Sequence, residues 1–186
     1  ESWELIEEEK DEFSEATDIE EVDMRLQVTP SQFVETAVMM PDPHTRRLQP
    51  FSFDDRRYLR EIYDNRSTRT LLICARQVEK STSLANKILS YCCLIPHFKA
   101  LYVSPSSTQT KEFSKTRIKE MIDTCPAIKT WFPSDLTDNV FEKRAINRSV
   151  INMRYAFLNA DRVRGISVDF IAMDEFQDLL LDNIPV

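Results

Sequence analysis

Two short runs hold the side chains best suited to chemistry: "ARQVEKST", Ala75 to Thr82, and the pair Asp174 and Glu175 that closes "VDFIAMDE". A loop that binds a polyphosphate aims backbone N–H groups and a helix N-terminus at it, while a lysine neutralises charge and a Ser or Thr hydroxyl helps hold Mg²⁺. Lys80 and Ser81 stand where such a loop needs them. Arg76, Gln77, Val78 and Glu79 fill the loop before them and are expected, with Lys80 and Ser81, to line the nucleotide; Thr82 is the weaker candidate of the set, expected to cap the helix that follows. Both usual glycine places are taken, by Ala75 and Glu79. Glu79 is no obstacle if its backbone is already helical and its carboxylate points outward. If the position needs φ > 0 it is strained, and a carboxylate beside a triphosphate adds like-charge repulsion, tolerable where a lysine or arginine pairs with it. Taken alone, the run also reads as a plain strand-to-helix turn with a solvent-facing lysine.

The acidic pair has a complementary use. An apolar run, Phe170, Ile171, Ala172 and Met173, ahead of two carboxylates is how a buried strand presents one carboxylate to a Mg²⁺ shell and the next to an attacking water. An acidic turn ending a strand is the ordinary alternative. Both runs close an expected buried strand, and together they favour a nucleotide site over the two ordinary readings.

The elements that would position these groups alternate along the chain. Thr29 to Met40 is expected to be a short capped helix with Pro30 in its first turn, followed by a proline-broken loop, "PDPHTRRLQPFSF". "DDRRYLREIYDNR" places Tyr58, Leu59, Ile62 and Tyr63 on one helical face. "TLLICA", Thr70 to Ala75, reads as a strand buried on both faces. Ser81 to Leu94 is helical in pattern, with Leu84, Ile88, Leu89 and Cys92 in register, and Lys99 to Pro105 is a second strand. "SSTQTKEFSKTRIKEMIDTC" is a polar-capped helix turning Phe113, Ile118, Met121 and Ile122 inward. "SVINMRY" and "AFLNA" suggest two strands near a hairpin, and Val168 to Glu175 the last strand. The order predicts an α/β fold, a mostly parallel sheet flanked by helices, with ligands at the carboxyl ends of the strands.

Composition limits the alternatives. With 186 residues and 42% hydrophobic content, one sizeable core is accessible and two comfortable domains are not. Residues 1–24 hold twelve Asp or Glu and one Lys, a net of −11 against −7 for the whole chain, so residues 25–186 carry +4. The arm is expected to be solvated, or else to serve a partner or mimic nucleic acid. The body, with Lys and Arg at 111–119 and 143–148, is compatible with transient contact to a phosphate backbone. Four cysteines without CxxC spacing argue against zinc and a disulfide framework, and for a reducing, cytosolic setting. No apolar run reaches the roughly 18 to 20 residues that span a bilayer, so no membrane role is expected.

In their order, "ARQVEKST", "ALYVSPSSTQTKEFSKTRIKEMI" and "RVRGISVDFIAMDE" resemble the ATPase domain of the large terminase subunit, the DNA-packaging motor of tailed bacteriophages, over roughly Phe51 to Asp178. Arg76 matches the family's arginine ahead of its Lys-Ser/Thr pair. Arg164 and Gly165, the latter the sole glycine, match an Arg-Gly ahead of the acidic strand. The resemblance implies a P-loop NTPase-type fold that uses ATP and Mg²⁺. It implies that Lys80 contacts the β/γ-phosphates, that Ser81 and Asp174 hold the metal, that Glu175 activates the hydrolytic water, and that Arg76 stabilises charge in the transition state. It further implies double-stranded DNA as substrate, a small terminase subunit and a portal protein as partners, a homo-oligomeric ring, and work in the host cytoplasm. The family's glutamine near the adenine has no counterpart in "FSFDDRRYLREI".

On this reading residues 1–28 form the acidic arm and residues 29–186 the first portion of the ATPase domain, expected to be truncated after the Walker B strand, with the nuclease domain absent. Two alternatives stay open from the residues: another helicase-like DNA-dependent ATPase, since "MDEFQD" resembles a helicase acidic box, and a non-hydrolysing nucleotide- or DNA-binding module in which Glu79 replaces the loop glycine.

Overall fold

A capping box starts the first helix. The Thr29 side chain accepts from the Gln32 N–H while the Gln32 side chain returns to the Thr29 N–H, and Pro30 occupies the first turn of α1 (Pro30–Ala37). The computed structural model describes residues 28–42, 45–75, 77–137, 139–155 and 167–179. The acidic arm, Arg76, "AFLNA", Arg164 and Gly165 lie outside them. The helix ends three residues earlier than its pattern suggested. Val38 turns extended, and β1 (Met39–Pro41) pairs antiparallel with β2 (Leu48–Pro50), so the expected loop contains a two-stranded ribbon. Pro41 and Pro50 each end their strand, where a missing N–H costs no ladder bond.

The short helix α2 (Tyr58–Asp64) buries Leu59 and Tyr63 and leaves Tyr58 exposed, since seven residues present only a narrow stripe. It is fastened to α3 (Lys80–Leu94) by polar contacts. Lys87 Nζ donates to the carbonyls of Ile62 and Asn65 at 2.9 Å each, and Asn86 Nδ2 donates to the Tyr63 hydroxyl at 2.8 Å. Those two carbonyls belong to the end of α2, where no intrahelical donor reaches them. Ser31 adds a tie from α1, its N–H and hydroxyl donating to the Asp64 carboxylate at 2.9 and 2.6 Å.

The segment Thr70–Ala75 is not the buried strand its composition predicted. It belongs to neither sheet, and Leu71 and Ile73 are 70% and 88% exposed. Apolar, β-branched residues fit a pleated surface only where a neighbouring strand supplies hydrogen bonds, and among the described residues none does so here. The helix after it matches expectation: α3 turns Ile88, Leu89 and Cys92 fully inward and leaves Leu84 partly buried.

Strand β3 (Lys99–Ser104) is the centre of the molecule. Ala100 and Tyr102 face the main core under the helices, and Leu101 and Val103 face a second, smaller cluster with Leu179, Val168 and Met173. Burial on both faces is why the run is continuously apolar. Ser106 then caps α4 (Ser107–Phe113), which passes through a π-helical turn, Ser114–Lys119, into α5 (Glu120–Thr124). The wider turn suits the sequence, because it brings Phe113 and Ile118, five residues apart, onto the same buried side. Met121 and Ile122 face inward as expected. Short helices α6 (Pro126–Lys129) and α7 (Ser134–Thr137) lead to β4 (Glu142–Arg144), β5 (Val150–Tyr155) and β6 (Phe170–Met173). The sheet order is β4-β5-β3-β6, with β3 parallel to both β5 and β6 and β4 antiparallel to β5. A mixed α/β fold with a largely parallel sheet flanked by helices is therefore what the chain forms. The antiparallel partner of β5 is β4, on its N-terminal side, a strand missed in the sequence because "EKR" is polar and shows no apolar alternation.

Candidate nucleotide site

Three element ends converge: the start of α3, the carboxyl end of β6 and the segment after β3. The first intrahelical bond of α3 runs from the Ser83 N–H to the Glu79 carbonyl at 2.8 Å. By helix geometry the N–H groups of Lys80, Ser81 and Thr82 then have no intrahelical acceptor, and no side chain caps them at Glu79. Among the described residues nothing caps these donors, and a fifteen-residue helix presents them with the positive end of its dipole, the arrangement that receives an anion. Thr82 does not cap it. The N-cap is Glu79, which leaves Thr82 as the third residue of the helix.

Glu79 takes the demanding one of the two backbones open to it. Its φ is 59° and ψ 25°, a left-handed conformation, and Gln77 is also left-handed at φ 61°. For a residue other than glycine this costs on the order of 1 to 3 kcal/mol, held by its surroundings. The surroundings are Arg56, whose Nη1 donates to Glu79 Oε1 and Oε2 at 2.6 and 2.8 Å, and whose guanidinium lies over the Phe51 ring at 5.3 Å. The carboxylate is matched by a cation before any phosphate arrives.

Across the site Ser81 Oγ donates to Asp174 Oδ2 at 2.8 Å, over a sequence separation of 93. The Tyr102 hydroxyl donates to the same oxygen at 3.3 Å, and the Glu175 N–H reaches Asp174 Oδ1 at 3.1 Å. Burial, then the Asp174 charge, pushes the Tyr102 phenol well above its ordinary range, so it stays a proton donor. Its ring stacks on Phe113, centroids 3.7 Å apart and planes within 3°. Asp174 is positioned because its N–H continues the ladder to Val103 at 3.0 Å. Glu175 follows in a left-handed conformation, φ 51° and ψ 45°, with its side chain accepting from Gln109 Nε2.

A hydroxyl and a carboxylate oxygen in direct contact form the hard-oxygen pair that suits Mg²⁺, so the residues present fit that ion. A helix N-terminus, a lysine at its first position, two adjacent oxygen donors and a neighbouring carboxylate match what nucleoside triphosphate hydrolysis needs. A family model described as "Phage terminase large subunit gpA, ATPase domain" matches residues 45–182, well over half of the chain. The chain belongs to the terminase large-subunit ATPase family. No curated protein matches it. Membership in the terminase family makes a packaging-motor ATPase the coarse function, and ATP use follows from the domain type. Among the described residues no helix is long and apolar enough to cross a membrane.

The expected site residues thus divide. Ser81 and Asp174 are brought into contact, with Lys80 and Glu175 their neighbours in the chain, and Gln77, Val78 and Glu79 form the approach to α3. Arg76 lies outside the described residues. Arg56, Tyr102 and Gln109 were not anticipated as site residues. Gln109 alone left a local trace, as the third residue of a capped helix; Arg56 and Tyr102 meet the site only through the tertiary fold.

Proposed function

We propose that the chain is the ATP-hydrolysing motor domain of a viral DNA-packaging terminase, coupling turnover to translocation of double-stranded DNA into a procapsid. The observation that carries this reading is the 2.8 Å contact between Ser81 and Asp174, which joins the two motifs at one point. The N–H groups of Lys80, Ser81 and Thr82 receive the phosphates, and the Lys80 ammonium neutralises their charge. Ser81 and Asp174 would hold Mg²⁺ through their oxygens, and the ion when bound would offset the charge of the phosphates. Glu175 orients the attacking water and takes its proton. Arg76 is the residue proposed to stabilise charge in the transition state, in cis or across a ring of subunits. A small terminase subunit and a portal protein are the proposed partners, and the host cytoplasm the place of work.

One experiment separates this from a module that binds without turnover. Mg·ATP binding and phosphate release, with and without duplex DNA, are measured for the parent, Lys80→Ala and Glu175→Gln. Loss of binding in Lys80→Ala is expected. Glu175→Gln should retain binding and lose about 10² to 10⁴ in turnover, the range for a general base. A parent that binds but releases no phosphate would support the binding module. Unchanged binding in Lys80→Ala would sink the phosphate-site assignment altogether.

A further inference from the structure

We propose that Gln109 is a positioning residue for Glu175, a role that rests on the reading of Glu175 as the base. Glu175 is exposed, and a free glutamate at a strand end would sample several rotamers. Its neighbour Gln109 is constrained at both ends of its amide. Gln109 Oε1 accepts from the Ser106 N–H at 3.1 Å and from the Ser106 hydroxyl at 2.8 Å, while the Ser106 hydroxyl accepts from the Gln109 N–H at 3.2 Å. With the oxygen committed to the helix cap, the amide nitrogen is left to point at Glu175, and it donates to Oε2. The opposite amide orientation would set an oxygen against a carboxylate and an NH₂ against an N–H, so the capping box itself fixes which end faces the base.

The reach from Gln109 to Glu175 is set by the sheet. β3 and β6 run parallel with Val103 opposite Met173, so their carboxyl ends finish level. Ser104 Oγ donates to the Ser106 carbonyl at 3.1 Å, and to or from Thr110 Oγ1 at 2.6 Å, which ties the start of α4 to the end of β3. A neutral donor on one carboxylate oxygen holds the group in place without cancelling its charge, leaving the other oxygen to accept a proton from water. Movement of α4 relative to β6 would then change the base's aim directly.

Gln109→Glu is the discriminating variant. Glutamate at this position preserves the acceptor that the Ser106 cap needs, and Ser-x-x-Glu is itself a capping box, so the helix keeps its start. It removes the N–H that Glu175 uses. Because this variant also sets a second carboxylate against Glu175, the uncharged Gln109→Met is measured beside it. The expected result in both is an unchanged KM for Mg·ATP and kcat lowered by about tenfold to a hundredfold, the scale of a misplaced reacting group. A loss confined to Gln109→Glu would be charge repulsion and would overturn the proposal. An unchanged or raised kcat, or a change in KM alone, would overturn the positioning role. A second readout does not need turnover: in uniformly nitrogen-15-labelled protein, the Gln109 side-chain amide, assigned by its loss in Gln109→Glu, should move upfield in Glu175→Ala. If the parent hydrolyses nothing yet this signal moves, the contact stands and the base assignment fails; if the signal does not move, the contact and the proposal both fail.

Discussion

Glu79 shows how one residue can be both locally unfavourable and tolerated. Left-handed backbone and negative charge both count against it beside a phosphate, and Arg56 answers the charge with two short hydrogen bonds from a position 23 residues away. The two side chains are 25% and 32% exposed, so solvent screens the pair and its own contribution to stability is small. Its value lies in what reaches the nucleotide. Arg56→Ala, which leaves Glu79 unpaired, is expected to weaken Mg·ATP binding by about tenfold, or ~1.4 kcal/mol. Adding Glu79→Gln to that variant should restore it. Calorimetry on the single and double variants decides: equal weakening in both would mean that Arg56 acts on the nucleotide and not through Glu79.

At the scale of elements, the site depends on helices being held at both ends. Arg56 lies two residues before α2, whose final carbonyls are met by Lys87 from α3, an ammonium partly desolvated so that burial pulls its pKa down. Lys87→Met keeps the length of the side chain and removes the donor. Leaving those carbonyls unsatisfied should cost about 1 to 3 kcal/mol, read as a lower urea midpoint with an unchanged slope. Because the same contact sets α2 against α3, Arg56 and Glu79 should also lose alignment. A midpoint equal to that of the parent would show that water replaces the ammonium without loss. The π-helical turn between α4 and α5 has a comparable task, keeping Phe113 under Tyr102 while Ile118 stays in the core.

The whole molecule carries an alkaline liability. Burial pushes the Cys93 thiol from 9.0 up to about 12 and the Tyr63 phenol from 10.0 up to about 12, and it raises the Cys92 thiol further still. Groups whose pKa is raised by folding contribute stability that is complete below their unfolded values and is lost as pH rises through the folded ones. The window therefore opens near pH 9 and extends to about pH 12. Within it each such group lowers stability by about 1.4 kcal/mol per pH unit, since the unfolded chain has already released the proton. Urea midpoints should be level from about pH 7 to about pH 8.5 and fall beyond, with Cys93→Ala showing a shallower fall. A midpoint constant up to about pH 10.5 would refute the argument.

Local pattern determined much of this protein. The capping residues Thr29 and Ser106, the inward faces of α3 and α5, the apolar strands β3 and β6, and the pairs Lys80-Ser81 and Asp174-Glu175 are legible in the sequence, because each depends on neighbours within a turn or a pleat. Pairing across distance was decided only by the tertiary structure. Thr70–Ala75 has strand composition and no strand, since a ladder needs a partner that the segment cannot supply for itself. Arg56 on Glu79, Gln109 on Glu175 and Ser81 on Asp174 join residues 23, 66 and 93 apart. Periodicity cannot register such contacts; the last two follow from β3 and β6 lying parallel and ending level beside the start of α3, and the first from α2 being set against α3.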